Sequence, residues 1–498
     1  MTLDPIRRSH AGMTMPLKGD AGPRWARKAG DTLGRLISDR RATVDTVTSA
    51  PTPLQPIDLT DDATVAAVLD LAVRVGEVAL GSGIGAMDTV TQVKFVTATY
   101  GLARCDVDVT YNSITISAYR GPTLPPASTM RIVNYRSMDF TRLAAVDRLT
   151  RRIRLEALPT DEAHEALNAI VSAPHPYNRW VATLAWSAMA ASISALLGGG
   201  VLMGALAFFT TMAIDRTNRV LNRYGLPFFF QHVVGGVIAS APAMAVYSFQ
   251  DQLGVDISPS QIIAAGVTVL LSGLSLVGSV QDAITGAPIT AAARFFELVM
   301  MTGAIIAGVA FTLRIASLLN AEPLVLSTLA PSTITQLPVK VIAGAFAALM
   351  FALASYAERR ALTAAAAGGA AGLLVFVLMQ SAGFGPVISS AVAATMVGFA
   401  GGLMARRALT PPLVVAVAGI TPLLPGLSLY RGLYAMLNDQ LLVGFSSLFG
   451  AFGIGCALAA GVTLGEWFAR ILRRPRILRG AGLLLRPQLR VGPLRRRT

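Results

Sequence analysis

Two carboxylates set in or beside long apolar runs are the groups in this sequence best placed to do chemistry. Glu297 lies within ITAAARFFELVMMTGAIIAGV, one helical turn from Arg294, and Asp282 lies in the polar turn QDAITGAP just before that run. A charge at membrane depth is costly, and where one is kept it marks an ion or substrate pathway. Asp282 and Glu297 are therefore candidates for proton coupling or for holding an amine, with Arg294 as the neighbouring cation. Arg294 as a simple neutraliser of Glu297, and snorkelling of Asp282, are the plainer readings. A second candidate set is made of backbone. Ser272-Gly273 interrupts one apolar run, and Pro422 with Pro425-Gly426 interrupts another. Proline removes an amide and frees a carbonyl, which hydrocarbon tolerates only where protein or a cavity satisfies the freed group. Gly273, Ser275, Thr421, Pro425, Gly426 and Ser428 form the candidate binding set, with a packing kink as the alternative.

The stretches that carry these residues are copies of one another. Gly273-Leu274-Ser275-Leu276 recurs as Gly426-Leu427-Ser428-Leu429, a separation of 426 − 273 = 153. Ala265-Gly266 recurs as Ala418-Gly419, and Ala307-Gly308-Val309 as Ala460-Gly461-Val462, at the same separation. Several ungapped matches at one spacing indicate a duplicated membrane unit, an architecture of secondary transporters.

Composition agrees. The chain is 53% hydrophobic and 14% charged, with mean hydropathy +0.57, more apolar and less charged than soluble domains. Up to about residue 178 it is mixed and charged; from Trp180 to Phe468 it is mostly apolar. A bilayer core needs roughly 20 apolar residues per helix. Ten spans are expected, near 180–197, 200–214, 228–250, 261–280, 293–319, 338–357, 361–380, 385–404, 412–429 and 440–469. With both termini in the cytoplasm, the loop 215–227 (Arg216, Arg219, Arg223), Arg359-Arg360, Arg406-Arg407 and the arginine-rich tail all lie inside. The opposite loop 251–260 carries Asp251 and Asp256 and no cation, and 381–384 is uncharged; Arg431 is the misfit. That is the Lys/Arg bias that sets topology. It absorbs most of the net charge of +14, together with attraction to anionic membrane lipids, and disfavours nucleic acid as the partner. Five spans on each side of 320–337 make the second copy enter from the opposite face, so the repeats are expected to be inverted.

The expected organisation is a basic arm over 1–61, a cytoplasmic α/β (α+β) domain over 62–173, a first membrane repeat over 174–319, a linker over 320–337, a second repeat over 338–470 and a basic tail over 471–498. No signal peptide is expected in the arm, since no apolar core follows Arg7-Arg8. Trp25, Ala29, Leu33, Leu36 and Ile37 fall at helical spacing among arginines and lysines, a pattern suited to an anionic membrane surface or to docking on the soluble domain. Pro51, Pro53 and Pro56 mark a linker. Within 62–172, Val65, Val68, Leu69, Ala72, Val73, Gly76 and Ala79 trace a helical face. Asp88 is the expected cap of a second helix that Gly101 ends, followed by strands over 105–110, 114–117 and 130–135 and helices near 140–155 and 160–172.

Enzyme signatures are weak. Gly81-Ser-Gly-Ile-Gly85 resembles a phosphate loop but follows a helix and lacks the Lys-Ser/Thr of a P-loop, so a tight interhelical turn is the better reading. Asp106 and Asp108 with His164 lack metal-ligand spacing and read as a solvated strand face. Ser113 and Ser117 have no evident relay. Cys105 and Cys456 fall in different regions, so no disulfide, metal or cofactor is expected. Gln231 and His232 read as helix-packing groups, and Glu466 with Arg470 as an interfacial i, i+4 pair.

LDLAVRVGEVALGSGIGAMDT (69–89) followed by YGLARCDVDVTYNSITISAY (100–119), joined to a duplicated five-helix unit, resembles the bacterial threonine/serine exporter family over about residues 62–470. The resemblance implies an inner-membrane secondary exporter of L-threonine and L-serine, driven by the proton motive force. Members often carry Pro-Gly at the helix break; Pro425-Gly426 keeps it, and Ser272-Gly273 departs from it. The family's soluble domain has been likened to hydrolases, but no catalytic set stands here. A zwitterionic hydroxy amino acid suits the break. Carbonyls from Thr421 to Gly426 would take its ammonium, helix N-terminal amides its carboxylate, and Ser275, Ser428 or Thr421 its hydroxyl. Some relatives move dicarboxylates, so an exporter of a small dicarboxylate is one alternative and a membrane-tethered hydrolase-like enzyme another. Homo-oligomerisation stays open.

Overall fold

The computed structural model describes residues 57–134, 137–248, 262–263, 265–266, 270, 273–318, 336–408, 411–437 and 439–473. The basic amphipathic stretch around Trp25, the proline linker, the loop with Asp251 and Asp256, Ser272, the linker up to residue 335 and the tail from 474 lie outside these residues.

Residues 57–172 form an α+β unit. Helix α1 (Asp62–Gly81) starts where the Asp61 side chain accepts the Ala63 amide at 3.0 Å, the usual N-cap arrangement. The expected apolar face is buried, and so are Leu71, Val75 and Leu80. The helix is thus enclosed on more sides than a single stripe predicts, because other helices cover what the sheet does not. At Gly76 a Cβ would stand 2.7 Å from Val93 Cγ2 and 3.2 Å from Ile114 Cδ1; its absence lets α1 approach both the next helix and the sheet. Gly83, at φ +99°, makes the expected tight turn into α2 (Ala86–Thr99), and Gly101, at φ +97°, follows the end of α2 as anticipated. Asp88 is not the cap. It sits in the first turn, and the N-cap position is Gly85, which has no side chain to offer.

Strands β1 (Cys105–Thr110), β2 (Ser113–Ala118) and β3 (Ala127–Ile132) make an antiparallel sheet in the order β1-β2-β3, with Val107 opposite Ile116 and Ile116 opposite Thr129. The third strand starts three residues before its expected position. Ile114, Ile116 and Ala118 alternate inward, and α3 (Phe140–Leu155) and α4 (Thr160–Ser172) close the core through Val146, Leu149, Ile153 and Leu167.

Tyr100, just past α2, donates its hydroxyl to the Leu158 carbonyl at 2.9 Å. Burial pushes its phenol up to about 12. A folded-state value above the unfolded one of about 10 means a contribution to stability that is intact below pH 10 and lost as pH rises toward 12. In a tyrosinate absorbance titration Tyr100→Phe should remove a late-titrating component and flatten the alkaline loss of stability. A titration identical in the variant would contradict this.

The rest is helical: α5 (Arg179–Leu196), α6 (Val201–Arg223), α7 (Phe228–Ser248), α8 (Gly273–Thr285), α9 (Pro288–Leu318), α10 (Leu337–Ala354), α11 (Arg359–Ser381), α12 (Pro386–Ala408), α13 (Pro412–Ile420), a 3-10 turn (Thr421–Leu423), α14 (Gly426–Leu437) and α15 (Leu441–Arg473). Residues 262–263, 265–266 and 270 are also helical. Six of the described helices, α7, α9, α10, α11, α12 and α15, are long and apolar enough to cross a membrane. Helix α6 runs past the expected end at 214: the charged stretch to Arg223, expected as loop, is helical. Two of its arginines find partners on the helix itself and on α5. Arg219 Nε donates to Asp215 Oδ2 at 2.8 Å, and the Arg216 guanidinium lies 3.2 Å over the Trp180 ring.

Two helix crossings are built alike. A Cβ at Gly308 of α9 would overlap the Val233 carbonyl oxygen of α7 and come to 3.0 Å from the Val237 amide. A Cβ at Gly461 of α15 would come to 2.5 Å from the Ala391 carbonyl oxygen of α12 and 3.0 Å from the Thr395 amide. The glycines are 461 − 308 = 153 apart; the residues they touch are 391 − 233 = 158 and 395 − 237 = 158 apart, as are the starts of α12 and α7, 386 − 228 = 158. Glycine is needed at both sites because the neighbour is backbone, which a rotamer change cannot move.

Candidate functional site

The second helix break lies where proline withdraws two amides from the ladder. Helix α13 ends at Ile420, Thr421–Leu423 tighten into a 3-10 turn, and Leu424 is extended at ψ 138° before Pro425, the conformation that a following proline imposes. Helix α14 restarts at Gly426. The Thr421 carbonyl accepts from the Leu424 amide at 3.3 Å, and the Leu424 carbonyl from the Gly426 amide at 2.9 Å. Thr421 Oγ1 donates to the Val417 carbonyl at 2.9 Å, which leaves its lone pairs as acceptors. Thr421, Leu423, Pro425 and Gly426 are buried and Ser428 is half-buried.

On the other side of the duplication, α8 starts at Gly273, with Ser275 half-buried two residues on. Helix α8 meets the second break. Val277 of α8 is buried in one cluster with Ala416, Ile420 and Leu423, and Leu274 packs against the same cluster. Leu429 of α14 packs against a cluster that holds Leu270, Ile262 and Ile305 from the first half. The structure thus brings α8 and the second break to a common core.

The charged set is elsewhere and is divided. Asp282 lies nine residues beyond Gly273, about 14 Å along the helix axis. Its carboxylate is fully buried and ion-paired to Arg294 Nη1 at 2.5 Å, and its Oδ1 accepts the Ala86 amide at 2.9 Å. This is the missing cap of α2: the glycine turn does bind an anion at a helix N-terminus, and the anion is a side chain 196 residues away. Arg294 is paired with Asp282 rather than with Glu297. Glu297 is exposed on α9 beside the exposed Phe296 and Val299, within electrostatic reach of His232 on α7. Gln231 and His232 bond the carbonyls of Leu226 and Phe228, and Glu466 with Arg470 forms the expected pair at 3.8 Å.

Several polar contacts escaped sequence reasoning. Thr183 Oγ1 donates to Asp215 Oδ2 at 2.7 Å; the i, i+4 spacing of Asp215, Arg219 and Arg223 was the available signal. Thr290 of α9 donates to the Val109 carbonyl and accepts the Tyr111 amide, both at 3.0 Å. His175 Nδ1 lies 3.2 Å from the buried Asp139 Oδ2, and its ring stacks on Tyr356. His164 pairs with Asp70 at 3.2 Å. Among the described residues no group of three or more His, Cys, Asp or Glu is placed to hold a metal. An apolar recess of about 520 Å³, lined by Ala188, Ser192, Phe208, Val339, Ile342 and Phe346 among others, opens between α5, α6 and α10. Its walls are apolar apart from Ser192, whose hydroxyl donates to the Ala188 carbonyl at 2.8 Å, so the second helix break and not this recess is the candidate site for a zwitterion.

Similarity to known proteins decides the family. A threonine/serine exporter family model, ThrE, matches residues 70–316, and a second, "Threonine/Serine exporter, ThrE", matches 340–468. The chain is 46% identical over 445 residues to the "Threonine/serine exporter" of Corynebacterium glutamicum, covering 88% of this chain and 90% of that one. The chain belongs to the threonine/serine exporter family. A "Probable threonine/serine exporter" of Mycobacterium tuberculosis is 41% identical over 423 residues, covering 83% of this chain and 78% of its own. No solved structure matches. As a member of the threonine/serine exporter family, with six apolar helices of spanning length, the chain is a multi-pass membrane protein and a transporter rather than an enzyme. Both helix breaks fall within regions matched to that family.

Proposed function

We propose that this protein exports L-threonine and L-serine from the cytoplasm as a secondary transporter driven by the proton motive force. The observation that carries the substrate is 46% identity along 88% of the chain to a threonine/serine exporter. The buried break over Thr421–Gly426, meeting α8 at a shared core, is where such a ligand is proposed to bind, with Gly273, Ser275 and Ser428 completing the site. Asp282, Arg294 and Glu297 are the proposed coupling groups, the buried carboxylate and its cation on one side and the exposed carboxylate on the other.

The architecture proposed for this cycle is ten spans in two inverted five-helix repeats behind a cytoplasmic α+β domain, with both termini inside and a bilayer rich in anionic lipid. The twin glycine crossings support the repeat, since each joins the third and fifth helix of its half through equivalent backbone atoms. The α+β unit supports the topology. It touches both the α8–α9 turn, through Asp282, and the α10–α11 turn, where the Phe140 amide donates to the Ser355 carbonyl at 3.0 Å. Turns held by one soluble unit lie on one side of the bilayer, so an even number of crossings separates them, as α9 and α10 supply.

The test is radiolabelled threonine flux in proteoliposomes with and without an imposed proton gradient. Gradient-dependent flux that serine inhibits and succinate does not is expected. Asp282→Asn and Glu297→Gln should each cut the gradient-driven component at least tenfold; gradient-driven flux unchanged in both would remove these carboxylates from coupling. Flux of succinate alone would move the substrate to a dicarboxylate.

A further inference from the structure

The α+β unit grips the helical region at two turns, and the two grips differ in kind. At α10–α11, Phe140 and Leu143 are fully buried in a core shared with Met189, Ala347 and Phe351, and the Phe140 and Phe351 rings stand edge to face at 6.2 Å. Around that plug the Phe140 amide bonds the Ser355 carbonyl, Thr141 Oγ1 donates to the Tyr356 carbonyl, and Arg148 Nη2 lies 2.6 Å from Glu358 Oε1. The segment that leads into α5 passes the same turn, since His175 stacks on Tyr356 at 4.3 Å. This grip is centred on a buried aromatic plug, ringed by polar contacts and tied to the segment that leads into α5.

At α8–α9 the grip is polar and small. Asp282 takes the Ala86 amide, Thr290 exchanges two hydrogen bonds with the β1–β2 turn, and Ala287 packs against the α+β core. Tyr111, whose amide bonds Thr290, stands at φ 54° as the first residue of the two-residue β1–β2 hairpin turn. Water can replace polar partners at such a contact, whereas nothing in water replaces the buried Phe140. What this grip holds is the far end of α8, the helix that carries Ser275 of the candidate binding set.

We propose that the α+β unit is a clamp on the transport cycle: anchored at α10–α11, it closes on α8–α9 to fix α8, and each turnover requires that second grip to open. The proposal rests on the exporter reading for its cycle and on the contacts for its mechanics.

The experiment uses full-length protein with Cys105→Ala and Cys456→Ala. Met87→Cys with Ile284→Cys brackets the α8–α9 grip at exposed positions, and Arg148→Cys with Glu358→Cys brackets the other. A short cleavable thiol cross-linker is applied in proteoliposomes, and threonine flux is read before linking, after linking and after cleavage. Linking 87 to 284 should lower flux at least tenfold, with recovery on cleavage, while linking 148 to 358 should leave it within twofold. Unchanged flux with 87 and 284 joined overturns the clamp. Spin labels at the same two pairs give a readout without transport. Two distance populations at 87–284 and one at 148–358 support the clamp, and a single distance at both, with and without threonine and gradient, overturns it. Absence of threonine flux before linking is failure of the exporter reading alone, and the spin-label distances then decide the clamp.

Discussion

Alanine at Gly308 or at Gly461 is expected to cost the fold heavily. The added Cβ would meet the Val233 carbonyl in the first case and the Ala391 carbonyl in the second, with amides of the facing helix 3.0 Å away in both. Overpacking a fitted interface costs about 1–3 kcal/mol where side chains can yield; here the obstacle is backbone, so the two helices must separate along their length and the upper end or beyond applies. Gly303, on the same helix as Gly308, is the control. A Cβ there meets nothing within 4 Å, and replacing a mid-helix glycine by alanine is worth roughly 0.5–1 kcal/mol in favour of the helix. Thermal melting of detergent-purified protein should fall sharply for Gly308→Ala and Gly461→Ala and hold or rise for Gly303→Ala. Melting of Gly308→Ala at the parent temperature would show that the crossing is looser than described.

Removal of Asp282 is the second large effect. Asp282→Ala strips the partner from Arg294, whose side chain is only 13% exposed, and uncaps the Ala86 amide at the start of α2. Breaking a buried pair from one side costs about 3–5 kcal/mol, because the surviving charge stays buried alone. Removing both charges should cost less than removing Asp282 alone, so Asp282→Ala with Arg294→Met is expected to be more stable than Asp282→Ala by more than 1 kcal/mol on the scale of coupled neighbours. Hydrogen exchange at residues 86–89 reads the cap separately and should accelerate in Asp282→Ala whether or not Arg294 is present. Additive single effects would mean that the two groups do not act as a pair.

What the sequence revealed and what it hid divide along the range of the interactions. The break over Thr421–Pro425 was legible because proline acts on its own amide and on the residue before it, and Leu424 is extended for that local reason. The turn at Gly83 was legible on the same ground. The run of charge after 214 reads as loop in the sequence, yet it is helical, with Asp215, Arg219 and Thr183 joined across α5 and α6. Asp282 stood out as a carboxylate beside an apolar run, yet its partner in the α+β unit is 196 residues away. Asp88, two residues inside α2, was the local guess for a cap that a distant carboxylate provides. Arg294 lies one turn from Glu297 in sequence, and of the two carboxylates grouped with it the structure pairs it with Asp282 across the α8–α9 turn.

Helix α9 has 31 residues, which makes it a rod of about 46 Å set in a hydrocarbon layer of about 30 Å. Roughly 16 Å of it must therefore overhang or be taken up by tilt. Thr290 lies in its first turn, at the end that carries the β1–β2 turn. A rod pivoting at its middle turns angle into travel: about 10° of added tilt moves an end some 23 Å away by roughly 4 Å, more than the length of a hydrogen bond. The angle of α9 in the bilayer and the hold on Tyr111 consequently cannot be set independently, and membrane thickness has a lever on the soluble face of the molecule.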